Sequence, residues 1–388
     1  MIEPTEFELR KFVAPEFIFG IDARKLTGRY ARNLGARKVM VVTDPGVMAA
    51  GWTQDVIDTL EAVNLDYTVF SGVSSNPKAE EVMAGAELYR SEGCNAIVAV
   101  GGGSPIDCAK GIGIVSASKK NILEFEGVDK VELSTPPLIC VPTTAGSSAD
   151  VSQFAVITDN LKKVKIAIIS KMVVPDVALI DPATTTTMSP DLTACTGMDA
   201  LCHAIEAFVS TANSPITDVH ALQAIHLVIA NLLPAINEPD NILRRGRMML
   251  ASLEAGLAFS NASLGAVHAM AHSLGGLLDC PHGECNAILL PYVIEFNYDA
   301  VPDRYREIGK SMGLEISVMA PTEVRSAIVS ALFHFAEAAG VAYTLGRLGV
   351  KRGDIPKLAE NAINDTCIFT NPRQMSRQDI EAIYEKAL

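Results

Sequence analysis

Asp199, His203, His268 and His282 are residue types that bind transition metals, and their spacing allows them to converge. Asp199 and His203 lie at i and i+4 in GMDALCHAIEAF, a stretch that reads as a helix, so both side chains leave the same face. His268 opens HAMAH on a later helical stretch, and His282 follows in the turn-like segment CPHGECN. One carboxylate with three imidazoles suits Fe²⁺ or Zn²⁺, whereas Mg²⁺ and Ca²⁺ prefer oxygen donors. The chain has 7 histidines, and His203, His268, His272 and His282 fall in these segments. Spacing alone does not choose between His268 and His272, themselves an i, i+4 pair, and Glu206 shares the helix face of His203. Two carboxylates and four histidines exceed one closed shell, so some must support the ligands or act in catalysis. Cys280, His282 and Cys285 also form half of a zinc knuckle, but no second cysteine pair lies close enough to complete it.

A second group of residues suits a phosphate. Gly101-Gly102-Gly103-Ser104-Pro105-Ile106-Asp107 follows the apolar run AIVAV and precedes a helical run. The glycines let backbone approach a ligand, and Ser104 before Pro105 reads as an N-cap followed by a first-turn proline. The first-turn amides and the helix dipole would then face a pyrophosphate. This is not the GxGxxG fingerprint. Pro142-Thr143-Thr144-Ala145-Gly146-Ser147-Ser148 also follows an apolar strand and offers four hydroxyls beside a glycine. Two such loops at strand C-terminal ends are what a dinucleotide needs. Asp44, ending KVMVVTD, is placed to accept from an adenosine ribose, which favours NAD(H) over NADP(H). It also reads as a turn residue before Pro45-Gly46.

The elements that must carry these groups alternate in the first half. KVMVVTD (38–44), DYTVF (66–70), AIVAVGGG (96–103) and LICVPTT (138–144) read as strands buried on both faces. Helical stretches near 24–34, 46–63, 77–92 and 105–118 separate them, which predicts a parallel sheet wrapped by helices. VSQFAVITD (151–159), KVKIAIIS (163–170) and VALIDP (177–182) read as a hairpin-like addition leading to the domain junction. Beyond Pro190 the periodicity is helical, as in 215–232, 241–260, 263–278 and 322–340. The junction falls in the Thr-rich ATTTTMSP. We therefore expect a Rossmann-like α/β dinucleotide-binding domain over 1–188 and an all-helical metal-binding domain over 189–388.

The totals narrow the function classes. A length of 388 residues predicts two domains, and 49% hydrophobic with 20% charged residues is a globular composition. A net charge of −13, with no basic run, disfavours nucleic acid and anionic membrane surfaces. No apolar run reaches the roughly 20 residues of a membrane span. The start, MIEPTEFELRKFVAPEF, lacks the basic and apolar regions of a signal peptide. Eight scattered cysteines without CxxC read as reduced thiols of a cytoplasmic protein.

The chain resembles the iron-containing (group III) alcohol dehydrogenases, a family that includes lactaldehyde, propanediol and methanol dehydrogenases. The motifs that carry the resemblance run through almost the whole chain: VVTD, GGGSPIDCAKGIGI, PTTAGSSADVS, TGMDALCHAIEAFVS, GLAFSNASLGAVHAMAHSLGG, PHGECNAILLPYVIEFN and TNPR. The resemblance implies a dehydroquinate-synthase-like fold with metal ligands Asp199, His203, His268 and His282. It implies that His272 is the non-ligand histidine near the nicotinamide, a candidate proton relay. Cofactor contacts are implied at Asp44, Asn76, Gly102, Gly103, Ser104, Asp107, Thr143, Thr144, Ser147, Ser152 and Val156, and Lys165 fits the nucleotide-side lysine. Glu206 is implied to be structural. Two positions depart from the family pattern. Asp150 replaces a glutamate after the threonine loop, a shortening expected to loosen that loop. Phe154 replaces a small polar residue of the lactaldehyde-reducing members, which favours a simple primary alcohol.

The implied reaction is reversible hydride transfer between a small primary alcohol and NAD, with the metal polarising the hydroxyl. Four protein ligands would close a tetrahedral zinc site, whereas Fe²⁺ can enlarge its shell, so iron is preferred and zinc is the alternative. Homodimers or larger homo-oligomers are the default assembly. A dehydroquinate-synthase-like lyase would need Lys and Arg near its metal, and 195–210 and 262–290 contain neither. A zinc polyol dehydrogenase of the glycerol type and a regulatory protein that kept the fold are the remaining alternatives.

Overall fold

The computed structural model describes residues 9–341 and 344–388. Residues 1–8, which begin the segment read above for a signal peptide, lie outside that description. The strands are β1 (Glu16–Phe19), β2 (Lys38–Val42), β3 (Asp66–Phe70), β4 (Ala96–Gly101), β5 (Gly127–Val128), β6 (Leu138–Pro142), β7 (Phe154–Asp159), β8 (Val164–Ile169) and β9 (Val177–Ile180). Helices α1 (Thr27–Asn33), α2 (Pro45–Ala49), α3 (Trp52–Glu61), α4 (Ala79–Ser91) and α5 (Gly103–Ser118) alternate with the early strands. The later part is helical: α6 (Pro190–Val209), α7 (Pro215–Asn237), α8 (Ile242–Ala262), α9 (Ala266–Leu278), α10 (His282–Asn297), α11 (Pro302–Ser311), α12 (Pro321–Ala338), α13 (Ile355–Ala362) and α14 (Arg377–Ala387).

Six strands form one sheet in the order β1-β9-β6-β4-β2-β3, and every pairing in it is parallel. Its period-two alternation divides the apolar residues between two cores. Met40, Val42, Ile97 and Ala99 face one layer, while Val39, Val41, Ala96 and Val98 face the other. All six residues of β4 and all five of β6 are buried, as a sheet covered on both faces requires. The chain runs from β2 to β3 on one side and then places β4 on the other side of β2. That reversal opens a crevice beyond the strand ends.

The sheet departs from the expected topology at its far edge. β7 and β8 form the expected antiparallel hairpin, in a small sheet with β5. β9, read as part of the same addition, instead enters the large sheet between β1 and β6. VALI is apolar at all four positions and fully buried, so it suits an interior strand better than a hairpin. β1, for which the sequence reading has no strand, is the edge beside it. Its EFIF is mostly exposed and gives no buried-strand signal.

The helical half packs around its own core, centred on α6, α7, α8 and α10. α7 is long and apolar enough, at 23 residues and mean hydropathy 1.6, to match a membrane span. It packs against α6 and α8, however, and Asp218, in its first turn, pairs with Arg304. The two halves meet closely where α9 crosses β8. A Cβ on Gly276 would lie 2.7 Å from the Val164 backbone, so only glycine permits this approach.

Candidate active site between the sheet and the helical half

A cleft of about 1110 Å³ lies beyond the C-terminal ends of β2, β4 and β6, closed on its other side by α6, α9 and the start of α10. All of the site residues expected from the sequence line it. The sheet side carries Asp44, Asn76, Gly102, Gly103, Ser104, Asp107, Thr143, Thr144, Ser147, Ser152, Val156 and Lys165. The helical side carries Asp199, His203, His268, His272 and His282.

On the helical side, local capping aims the side chains. α6 begins with Ser189 accepting from the Leu192 amide and Pro190 in its first turn, and its buried face presents Asp199 and His203 together. α9 starts after Gly265, where the Glu206 carboxylate of α6 accepts from the Val267 amide at 2.6 Å and Asn371 accepts from the Ala266 amide at 3.2 Å. Glu206 also lies 2.5 Å from Nδ1 of His268. One buried carboxylate thus caps the helix and fixes the ring it carries. His282 is not in a turn, as the sequence reading had it, but is the first residue of α10. The turn is the three-residue connection before it, opened by Asp279, whose φ of 56 closes α9. Gly283 lets that start press on α6, since a Cβ there would sit 2.4 Å from the Cys195 carbonyl oxygen.

The result is a converging set of donors. Nε2 of His268, His282 and His203 lie 3.6, 3.7 and 3.9 Å from Oδ1 of Asp199. Among the described residues, the donor atoms of Asp199, His268 and His282 all lie within 4.8 Å of one another, a group that could hold one divalent ion, while His203 stands beside Asp199 but outside that group. His203 stacks between Phe259 and His268, with ring centres 4.3 and 4.4 Å away. Burial acts to raise the Asp199 carboxyl, but the three imidazoles outweigh it and hold the group far below its ordinary range. Burial pushes His203 down to about 4 and His282 well below its usual value. His268 is raised to about 9 because Glu206 and Asp199 outweigh its burial. The same anionic field that favours a proton there favours a metal cation.

Asn286, one turn along α10 from His282, was not foreseen. Its Nδ2 lies 2.7 Å from Oδ1 of Asp199 and 3.2 Å from Nε2 of both His268 and His282. A lone asparagine in HGECNAILL carries no chemical signal in a single sequence. Only the helix geometry brings it to the donors.

The sheet side is built from loops. α5 begins at Gly103 with Gly102 as its N-cap, so Ser104 lies within the first turn and is not the cap. Its hydroxyl instead donates to the Ser75 carbonyl at 2.5 Å. A Cβ on Gly102 would crowd Thr144 at 3.0 Å and one on Gly103 would meet Ser147 at 2.9 Å, so the two loops nest only through glycine. Asp44 caps α2, its Oδ1 accepting from the Val47 amide at 3.0 Å, and it lines the cleft. Asp107 accepts from the Val156 amide at 3.0 Å through Oδ2, while its buried Oδ1 makes no hydrogen bond among the described residues and lies 3.9 Å from Nζ of Lys110. Burial pushes that carboxyl up to about 6.

Lys110, also unforeseen, is buried and donates to the Ser152 carbonyl at 2.9 Å, the Ser152 hydroxyl at 3.3 Å and the Phe154 carbonyl at 2.6 Å. It engages the hydroxyl of Ser152 and fixes the entry to β7. The loop around Asp150 is not loose. Ser148 donates to the Ser252 carbonyl of α8 at 2.6 Å, and Asp150 is buried. Asn76 donates to Asp279 at 2.5 Å, tying the sheet side to the end of α9.

Known proteins resemble this chain over almost its whole length. The model of the iron-containing alcohol dehydrogenases matches residues 14–182, and that of the C-terminal part of the Fe-containing alcohol dehydrogenase family matches 193–388. The 1,3-propanediol dehydrogenase of Klebsiella pneumoniae is 40% identical, over 95% of this chain and 96% of that protein. The NAD-dependent methanol dehydrogenase of Bacillus methanolicus is 36% identical, over 97% of this chain and 99% of its own length. The crystal structure of a 1,3-propanediol oxidoreductase superposes with a TM-score of 0.95 at 39% identity, covering 98% of this chain and 100% of the other. These likenesses do not support the polyol-type zinc enzyme or the regulatory protein weighed from the sequence. With its donors, its two nested loops and its full-length relatives, this chain belongs to the iron-containing alcohol dehydrogenase family.

Proposed function

We propose that the protein oxidises a small primary alcohol to its aldehyde, reversibly, with NAD as hydride acceptor and Fe²⁺ as the resident metal, zinc being the alternative. The observation that carries this reading is the convergence of Asp199, His268 and His282, with His203 beside Asp199, opposite the two nested loops within one cleft. Those four residues would hold the metal, and the glycine and threonine loops with Asp44, Asn76, Asp107 and Lys165 would hold the dinucleotide. When bound, the metal supplies Lewis acidity toward the alcohol oxygen and the dinucleotide supplies the hydride site. The chain itself binds and orients. The α5 N-terminus opens on the cleft and would take the phosphates, and the Asp107 oxygen that makes no hydrogen bond would accept from an N–H or hydroxyl donor. His272 receives the hydroxyl proton. Phe154 and Phe259, edge to face at 5.7 Å, and Leu264 give the metal end an apolar wall that excludes water and suits an unadorned alkyl chain.

The relatives' printed substrates, methanol and 1,3-propanediol, lie in the same size class. Lys165 is the single Lys or Arg among the described lining residues, which suits an uncharged substrate better than a phosphorylated acid. We take 1–188 and 189–388 as the two domains, a division supported by the change from β9 to α6. The edge strand β1, with Phe17 and Phe19 exposed, supports a homodimer or larger homo-oligomer, and eight unpaired cysteines support a cytoplasmic setting. The test is metal analysis of anaerobically purified protein together with NAD⁺ reduction across C1–C6 primary alcohols. Iron near one equivalent with turnover on short alcohols supports the reading. Turnover with the metal chelated away would overturn it.

A further inference from the structure

Two histidines on α9 are each backed by a carboxylate. His268 has Glu206, and His272, one turn on, has Asp365, with Nδ1 and Oδ2 2.9 Å apart. Asp365 comes from a distant segment, between α13 and α14, and its contact with His272 is 8% exposed on both sides. Its second oxygen is also engaged. Oδ1 accepts from the Cys367 amide at 2.8 Å, where Asp365 caps the short helix Thr366–Thr370. The carboxylate is therefore held from both ends and cannot swing away from the ring. Burial acts to raise its carboxyl, yet His272 and the Cys367 amide hold it below the ordinary carboxylate value, so it stays an acceptor. An acceptor at Nδ1 places the imidazole hydrogen there and leaves the Nε2 lone pair uncommitted. No described residue bonds Nε2, and the ring lines the cleft.

We propose that Asp365 is a positioning residue for the alcohol oxidation, fixing the tautomer and orientation of His272 so that Nε2 accepts the hydroxyl proton. The inference rests on the dehydrogenase reading given above. The alcohol O–H bond breaks as Nε2–H forms. The carbinol hydride leaves to NAD⁺, and Nε2 then releases its proton to water at the cleft mouth. Asp365 takes no proton in this sequence and stays paired with the ring. It differs from Glu206, whose histidine faces the metal donors, in acting on proton traffic and not on metal retention.

The test compares Asp365→Asn, Asp365→Glu, His272→Ala and the Asp365→Asn/His272→Ala pair in full-length protein, iron-loaded for turnover and zinc-loaded for the nitrogen NMR. Asp365→Asn should lower kcat roughly 10–100-fold while KM for alcohol moves about 3-fold or less and metal content stays unchanged. Asp365→Glu should restore part of kcat. In the His272→Ala background the asparagine change should cost no more than about 2-fold, because Asp365 acts through that ring. Nitrogen NMR of ¹⁵N-histidine-labelled protein should report the Nδ1–H tautomer of His272 in the parent and its loss in Asp365→Asn. An equal loss of kcat in both backgrounds, or loss of the metal with Asp365→Asn, would overturn the proposal. So would an unchanged tautomer. If no alcohol is turned over by the parent, the dehydrogenase reading fails, and the tautomer signal alone decides whether Asp365 sets the ring.

Discussion

The two walls of the cleft solve the same problem with different materials. On the sheet side the working groups are backbone amides, hydroxyls and glycines on loops after β2, β4 and β6, and their geometry follows from the close nesting of two loops. On the helical side the working groups are side chains, aimed by helix faces and held by carboxylates such as Glu206. Loops that depend on missing Cβ atoms tolerate changes in side-chain chemistry but not in bulk. A cage of side chains depends on chemistry and on each supporting partner. Substitutions on the two walls should therefore fail in different ways.

The largest separation is expected from His268→Ala. Losing one of four donors removes the metal, so iron content and turnover should collapse together, by at least about 10³-fold in kcat/KM, with NADH binding measured by fluorescence nearly unchanged. Glu206→Gln probes the support. It leaves an acceptor for the α9 amides but weakens the partner of His268 Nδ1, and metal affinity in a chelator competition should fall about 10–100-fold. Gly103→Ala tests the opposite wall. Its Cβ would meet Ser147 at 2.9 Å, so KM for NAD⁺ should rise about 10-fold or more while metal content stays constant. Loss of metal from that glycine variant would show that the walls are not independent.

The smallest effect concerns stability. Asp107 has its carboxyl raised by burial from 3.8 to about 6, so the folded state holds protons more tightly than the unfolded chain. Its unfavourable contribution is absent below the unfolded value, grows between 3.8 and about 6, and is complete above that range. Asp107→Asn should therefore resist denaturant better at pH 7 than the parent, with a ceiling of roughly 3 kcal/mol and no gain at pH 3. Weaker cofactor binding should accompany the gain. Equal stability at pH 7 would mean that Lys110 and Lys165 already neutralise the buried charge.

The same contrast explains what could be read in the chain. Strands such as AIVAV and LICV are legible because burial on both faces leaves continuous apolar runs, and β1 is not, because an edge strand does not. VALI was legible as a strand but not in its partners, since pairing order is set by packing across the whole sheet. In the site, residues with distinctive chemistry stood out: glycines in a row, an Asp and a His one turn apart, histidines in a chain with few of them. Residues whose importance arises from tertiary contact did not. Asn286, Lys110 and Asp365 belong to common types with no local pattern, and each acquires its role from a partner 40 or more residues away. Ser104 misled because Ser-Pro is a usual helix start, whereas here Gly102 caps and the hydroxyl turns to Ser75.

The approach of α9 to β8 constrains how this molecule can breathe. Gly275 sits against Lys165 and Gly276 against the Val164 backbone, so the helix bearing His268 and His272 rests directly on a strand of the opposite half. Nothing compressible separates them there. Gly146 against Thr196 and Gly256 against Ser148 repeat this approach elsewhere, so the two halves meet at several points with no side chain between them, and bulk added at any of these glycines would push the walls of the cleft apart.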